Sequence, residues 1–200
     1  MKPTKPNIYF KKINDVLTVE LLLFAVYIMI APSFPKFTYF WNSHTSKHAE
    51  VVVASTNKPK VDSRLIIPKG ETLLIPSIFL DETIHEGKYE STLRQGVWRL
   101  PLSSTPENGS NTVIAGHRFY YTSTAVFYNL DKVQTNDKLT LNWNGKAYVY
   151  KVFSIRTVAP SDVSVEAPTK DPTLTLYTCT PLWTSKYRLV VQAHLETVIS

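Results

Sequence analysis

The 200-residue sequence has little cysteine and little glycine, and it lacks the motifs that identify several common function classes. It contains one cysteine, so an intramolecular disulfide is excluded. The Gly-x-Gly-x-x-Gly pattern, the P-loop pattern, Cys-x-x-Cys pairs and internal repeats are absent from it. These absences disfavour the common nucleotide-binding, zinc-binding and solenoid classes, and the sequence predicts neither a cofactor nor a metal site.

Excess charge of one sign is also small. The formal net charge is +6, with 22 Lys and Arg against 16 Asp and Glu. Residues 1–44 contribute five lysines and two acids, so residues 45–200 carry only about half of the excess. A basic stripe typical of nucleic-acid binding is therefore not indicated. Hydrophobic residues make 44% of the chain, which fits a globular core.

One long hydrophobic run stands near the start of the chain, from Val16 to Phe34. Nineteen helical residues span about 28 Å at ~1.5 Å each, close to the roughly 30 Å of a hydrocarbon core. Glu20 interrupts the run. We expect an uncleaved transmembrane anchor; a cleaved signal peptide and a soluble core helix are the alternatives.

Lysines before this run orient the expected anchor. Four of the five lysines in residues 1–44 precede residue 16, which predicts a cytoplasmic N-terminus and an exported remainder. The expected organisation is residues 1–15 cytoplasmic, 16–34 transmembrane, 35–62 an extracellular stalk and 63–200 a folded domain. The predicted location is the cell membrane, with a single pass and the domain outside.

From residue 63 onward the sequence is typical of short strands. Apolar runs end at Pro68 and Pro76, and Asn144-Gly145 joins two alternating segments as a tight hairpin turn. Residues 173–179 and 187–195 alternate between apolar and polar positions. Helical periodicity is scarce, with short candidates near residues 89–95 and 123–130. The predicted fold class is all-β, a closed barrel or a sandwich of seven or eight strands.

Cys179 is the first candidate for chemistry, because it ends a strand on the polar side of the alternation. An isolated cysteine is usually buried and inert, but a single thiol in an exported protein is a candidate nucleophile. A nucleophilic thiol needs a proton-transfer group. His117 follows the run of residues 112–116 at a strand end. His194 lies six residues after Arg188, about 20 Å along the strand at ~3.3 Å per residue, so it is expected at the wrong end of that strand. His85 is expected in a loop.

Arg188 is the second candidate partner of Cys179. It follows the cysteine by nine residues, so antiparallel flanking strands would place both at the same end of the sheet. A guanidinium there could hold a peptide carbonyl or its oxyanion with two donors. The alternative is a solvated arginine at the start of a strand.

At these residues the chain resembles the sortases, the cysteine transpeptidases of the bacterial cell surface. The resemblance rests on the Thr-Leu-x-Thr-Cys signature at Thr175–Cys179 and on Arg188-Leu-Val-Val. The segments Val113–Arg118 and Leu74–Ile78 strengthen it. It covers about residues 65–197, and within the family it is most similar to the class E or class D enzymes.

The resemblance implies an eight-stranded β-barrel and roles for three residues. Cys179 would attack the Thr–Gly bond of a Leu-Pro-x-Thr-Gly-like or Leu-Ala-x-Thr-Gly-like sorting signal and form a thioacyl enzyme. His117 would act as acid and then as base, Arg188 would stabilise the oxyanion, and Thr178 would contact substrate. The implied partners are surface proteins that carry the signal and an amine on a wall precursor or a pilin lysine. Residues 16–34 would contact lipid.

Two other functions compete with the transpeptidase. An L,D-transpeptidase is disfavoured, because that class uses a Ser-His-Gly-Cys run and here the histidine lies 62 residues before the cysteine. A membrane-tethered β-domain that binds wall or pilin peptides without catalysis is the other alternative. It predicts that replacing Cys179 has no consequence.

Overall fold

A computed structural model describes residues 8–30, 70–119 and 125–200 of the chain. The chain divides into two compact units, residues 1–46 and residues 47–200, and each is described by itself. The predicted stalk and the end of the predicted membrane span, residues 31–34, lie outside the described residues. His44 and His48 lie outside them as well.

The first unit contains helix α1, which runs over Ile8–Ile30. The helix thus begins eight residues before the predicted start at Val16. Apolar side chains along it are exposed, including Leu21 at 67% and Leu23 at 66%. No helix within the described ranges combines the length and the apolar character that a bilayer crossing requires. The anchor over residues 16–34 stays a prediction.

In the described part of the second unit, eight strands close into a barrel in the order β1-β2-β3-β4-β7-β8-β6-β5. The all-β, eight-stranded barrel is therefore confirmed. Within the described residues, five short 3₁₀ segments connect the strands. The strands are β1 Thr72–Ile75, β2 Leu80–Glu86, β3 Val97–Arg99, β4 Asn111–Ala115, β5 Lys138–Trp143, β6 Lys146–Val158, β7 Thr173–Thr180 and β8 Tyr187–Ile199. The 3₁₀ segments are Pro76–Ile78, Glu90–Arg94, Pro106–Asn108, Leu130–Lys132 and Val163–Glu166.

The β5–β6 hairpin forms at the predicted turn. Asn144 and Gly145 have φ values of 47° and 73°, the left-handed conformation that a two-residue turn of this kind requires. The two strands then pair in antiparallel register from Trp143–Lys146 to Lys138–Lys151. Local turn chemistry is thus sufficient to define this part of the barrel.

Aliphatic side chains fill the interior of the barrel. Burial of one such side chain contributes about 1.5–3 kcal/mol to stability, so the interior holds the strand ends in fixed positions. Among the fully buried side chains are Leu73, Ile75, Ile114, Leu139, Leu141, Leu174, Leu176 and Val191.

The polar side of β7 is more buried than its alternation predicts. Thr173 and Thr175 share that side with Cys179, yet they are only 2% and 0% exposed. The cause is the connection between β6 and β7, which packs over them. The amide of Asn111 donates to the carbonyls of Val165 and Ala167, each at 3.0 Å, and Thr175 Oγ1 donates to Asn111 Oδ1 at 2.7 Å.

Candidate active site

Cys179 lies in the penultimate position of β7, directly opposite Arg188 on β8. The antiparallel pairing of the two strands sets this register, and the short connection of residues 181–186 keeps the pair at one end of the barrel. Cys179 is half-buried. The expected placement of thiol and guanidinium at the same end of the sheet is what the structure has.

His117 reaches the same place through a different pairing. Strand β4 runs parallel to β7, and the ladder ends at the pair Ala115–Tyr177. Two residues beyond this pair lie His117, just past the end of β4, and Cys179, within β7. Gly116 N donates to Tyr177 O at 3.3 Å, so the two segments stay side by side up to these residues.

One cavity of about 370 Å³ is lined by all three predicted residues, Cys179, His117 and Arg188. Its size is within the usual range for ligand pockets. Because the three side chains come from three strand ends that two separate pairings bring together, the barrel holds a thiol, an imidazole and a guanidinium around one space. This is the arrangement that nucleophilic catalysis by a cysteine needs.

The imidazole of His117 is shifted toward its neutral form. Burial lowers the pKa of His117 below its ordinary value of 6.5; Glu90 raises it in part, and Arg94 lowers it further. A histidine with a lowered pKa is mostly unprotonated at neutral pH, which suits a group that accepts a proton.

Arg188 and Thr178 complete the predicted set. Arg188 Nη1 donates to the carbonyls of Ser185 and Tyr187, each at 3.3 Å. Thr178 lines the cavity but is 2% exposed, and its hydroxyl donates to Gly116 O at 2.7 Å. The hydroxyl therefore ties β7 to the chain before His117, and its predicted contact with substrate stays a prediction.

The chain is similar to known proteins over most of the barrel. The model of the sortase domain family matches residues 73–196. The chain belongs to the sortase family.

Individual relatives agree with this assignment. Sortase SrtE1 of Streptomyces coelicolor is 40% identical over 101 residues, which cover 46% of this chain and 28% of the relative. Sortase SrtE2 of the same species is 32% identical over 107 residues, which cover 48% of this chain and 41% of the relative. The chain thus spans less than half the length of these two curated relatives. The solved structure of sortase C1 from Streptococcus agalactiae has a TM-score of 0.59 and 32% identity, covering 64% of this chain and 67% of that chain.

The walls of the sortase cavity combine apolar side chains with acids. Tyr177, a bulky residue within the signature, lines the cavity, and its hydroxyl donates to Glu166 Oε1 at 3.0 Å. Burial raises the pKa of Tyr177, and the adjacent Glu166 raises it further, so the phenol stays protonated and keeps this bond. The apolar lining residues are Leu93, Trp98, Leu100, Ala115, Pro160, Val163 and Val165.

Cys179 also borders a second space, of about 210 Å³, on the side of the β7–β8 connection. Phe119 and Trp183 meet there with ring centroids 4.2 Å apart. Arg118 lines this space, and although it belongs to the segment that carries the resemblance, the sequence alone assigns it no role. Cys179 thus lines both the 370 Å³ cavity and the 210 Å³ cavity.

The remaining described histidines, His85 and His194, do not line the cavity. His194 stacks on Phe153 with a centroid distance of 3.8 Å and pairs with Thr173 at the opposite end of β7, as its position along the strand predicts. The expectation that His85 lies in a loop is wrong: it lies in β2 opposite Trp98. Within the described ranges, no group of three or more His, Cys, Asp or Glu side chains could hold a metal ion.

Proposed function

We propose that this sortase is a cysteine transpeptidase that cleaves a sorting signal similar to Leu-Pro-x-Thr-Gly or Leu-Ala-x-Thr-Gly between Thr and Gly. It then joins the released carboxyl end to an amine. The observation that carries the proposal is the single cavity lined by Cys179, His117 and Arg188. Membership of the sortase family supports it, and the similarity to sortases SrtE1 and SrtE2 favours class E over class D.

Acylation follows from the properties of the three groups. His117 accepts the proton of the Cys179 thiol, and the resulting thiolate attacks the Thr carbonyl. Negative charge develops on the carbonyl oxygen, where the guanidinium of Arg188 donates hydrogen bonds. His117 protonates the glycine nitrogen as the Thr–Gly bond breaks. The products are a thioacyl enzyme and a peptide with a free amino end.

Transfer to the acceptor reverses the proton movement. An incoming amine attacks the thioester, His117 takes a proton from its nitrogen, and the Cys179 thiolate leaves. The lowered pKa of His117 suits this step, because only the neutral imidazole accepts a proton. A wall-precursor amine and a pilin lysine both fit this chemistry.

The apolar part of the cavity lining supports a peptide with apolar residues before the Thr. Leu93, Leu100 and Val163 offer apolar surface in the cavity that Cys179 also lines. Val163 is 69% exposed, so a bound leucine side chain would cover it. Burying one leucine in this way supplies about 1.5–3 kcal/mol of binding free energy.

We include in the proposal a location on the outer face of the cell membrane, with residues 16–34 as anchor. The exposed apolar side chains of α1 and the lysines that precede them support it. Confinement of enzyme and substrate to one surface would raise their effective concentration. Membrane fractionation followed by protease treatment of intact cells tests this part: loss of the barrel to external protease is expected, and full protection contradicts it.

Turnover of synthetic peptides tests the proposed activity. The 200-residue chain is incubated with Leu-Pro-x-Thr-Gly or Leu-Ala-x-Thr-Gly peptides and with triglycine or a lysine peptide as acceptor, beside Cys179→Ala. We expect cleavage between Thr and Gly and an amide product that the variant does not form. If Cys179→Ala binds the peptides and neither protein cleaves them, the β-domain that only binds peptides is correct instead.

A further inference from the structure

Arg118 is a buried arginine in the position directly after His117. Its side chain is 8% exposed and pairs with Asp131, with Nη2 and Oδ2 2.8 Å apart. Nη1 donates to Thr180 Oγ1 at 2.7 Å, and Nε donates to Tyr128 O at 3.4 Å. A guanidinium presents its donors in one fixed plane, so these contacts together fix its orientation.

The bond from Arg118 to Thr180 joins the neighbours of the two reacting residues. Thr180 directly follows Cys179, as Arg118 directly follows His117, and the two partners are 62 residues apart in the chain. On the other side of the reacting pair, Thr178 Oγ1 donates to Gly116 O at 2.7 Å. His117 and Cys179 therefore lie between two side-chain hydrogen bonds that connect the segment after β4 to β7.

The bond from Arg118 to Thr180 matters because the backbone ladder of β4 and β7 ends before the site. Its last pair is Ala115–Tyr177, followed by the bond from Gly116 N to Tyr177 O. Past this point each segment is paired with a different neighbour, Cys179 with Arg188 and His117 O with Phe127 N. A displacement of about 1 Å between reacting groups can lower a rate about 100-fold. The bond from Arg118 to Thr180 adds a direct link between the two segments past the reacting pair.

We propose that Arg118 is a positioning residue, which sets the distance between the Cys179 thiol and the His117 imidazole through Thr180. This inference rests on the proposed transpeptidase function. Asp131 balances the charge of the guanidinium, so the role of Arg118 is geometric and differs from that of Arg188, which lines the substrate cavity.

Three variants and a matched control test the proposal in the 200-residue chain. Arg118→Met removes all donors, Arg118→Lys keeps one charged donor, and Thr180→Val removes only the acceptor. Arg99→Met is the control, because Arg99 is also buried, with its side chain 11% exposed, and pairs with Glu86 while donating to Ser103 O at 2.8 Å. It lies on β3 and does not line the cavity.

The expected result is a fall in kcat with little change in KM. Arg118→Met and Thr180→Val should each lower kcat about 10- to 100-fold, with KM within about twofold of the parent value. Arg118→Lys should recover part of the loss. In the Arg118→Met background, Thr180→Val should have no further effect, because both changes remove the same bond. Arg99→Met should lower the melting temperature and leave kcat of the folded protein unchanged.

A measurement without peptide separates failure of this inference from failure of the proposed function. The rate of Cys179 alkylation by iodoacetamide is followed against pH for each variant and for His117→Ala. We expect the profiles of Arg118→Met and Thr180→Val to move toward that of His117→Ala, and that of Arg99→Met to match the parent. If the parent enzyme cleaves no peptide but the alkylation profiles shift as expected, the proposed transpeptidase function is wrong and the positioning role of Arg118 stands. Parent-like profiles in both variants, or equal kcat losses in Arg118→Met and Arg99→Met, would overturn the role of Arg118.

Discussion

At the residue scale, the proposed chemistry depends on three side chains of different types, and the electrostatics of His117 are expected to set its pH range. Burial lowers the pKa of this histidine and Glu90 raises it in part. The base step needs the neutral imidazole, so activity is lost as pH falls through the His117 pKa. The acid limb of amine-dependent turnover is therefore expected below pH 6.5.

Removing the charge of Glu90 should move that limb. Glu90→Gln takes away a carboxylate that stabilises the protonated imidazole, so the His117 pKa falls and the limb moves to lower pH. The pH dependence of kcat for transfer to triglycine checks this. Glu196→Gln, whose parent residue pairs with Lys138 on the barrel wall, is the control and should leave the limb in place. A limb that moves to higher pH in Glu90→Gln would contradict the assignment.

The guanidinium of Arg188 is expected to act by its two-donor geometry as well as by its charge. Arg188→Lys keeps the charge and loses the planar pair of donors. We expect kcat to fall about 100-fold, the size of effect typical for an oxyanion donor, with peptide binding largely retained. Steady-state turnover measures the change in kcat. Peptide binding to Arg188→Lys in the Cys179→Ala background measures the change in affinity. An unchanged kcat would show that charge alone is sufficient.

At the element scale, the close contact between β4 and the segment that follows it holds His117 in place. A Cβ on Gly116 would lie 2.6 Å from Cδ2 of Phe127, a fully buried side chain whose backbone N–H donates to His117 O at 3.0 Å. Gly116→Ala must therefore displace the ring and the backbone that orients the histidine.

This contact predicts a combined loss of stability and activity. Gly116→Ala should lower the free energy of unfolding by about 1–3 kcal/mol through overpacking and reduce kcat as well. Gly145→Ala is the matched control, because its Cβ would meet nothing within 4 Å while its φ of 73° still costs about 1–2 kcal/mol. Urea unfolding and turnover of both variants check the prediction. Equal kcat values in the two variants would contradict it.

Elements with local signals were predictable from the sequence, and those defined by distant partners were not. The β5–β6 hairpin follows from Asn144-Gly145, and β7 and β8 follow from alternation. Strand β2 was missed, because its residues Leu80–Glu86 include only two buried apolar side chains. The burial of Thr175 depends on Asn111, which lies 64 residues away, and no local pattern reveals such a pairing.

The same distinction applies to the candidate site. Cys179, His117 and Arg188 were found because strand ends and a family signature mark them, and the structure brings them to one cavity. Arg118 was not assigned a role, since its contacts to Thr180 and Asp131 arise only when the barrel closes. An arginine beside a candidate histidine is otherwise typical of a solvated surface.

For the whole molecule, Asn111 connects the barrel to the segment that covers its outer side. Asn111→Ala would remove two bonds to the carbonyls of Val165 and Ala167 and one from Thr175. Because Asn111, Val165 and Thr175 are buried, we expect a loss of about 2–4 kcal/mol in the free energy of unfolding. Asn108→Ala, at the exposed last residue of the 3₁₀ segment Pro106–Asn108, is the control and should change stability by less than about 0.5 kcal/mol. Chemical denaturation of both variants measures the difference, and equal midpoints would contradict it.

The proposed thioacyl enzyme is the state of the whole molecule that connects the cavity with the roles proposed for Cys179, His117 and Arg188. The direct measurement is intact-mass spectrometry of the 200-residue chain mixed with a sorting-signal peptide in the absence of an acceptor amine. The account predicts a mass increase equal to the peptide up to and including Thr, located on Cys179 and discharged when triglycine is added. Cleavage without any adduct, or an adduct that persists in Cys179→Ala, would contradict it.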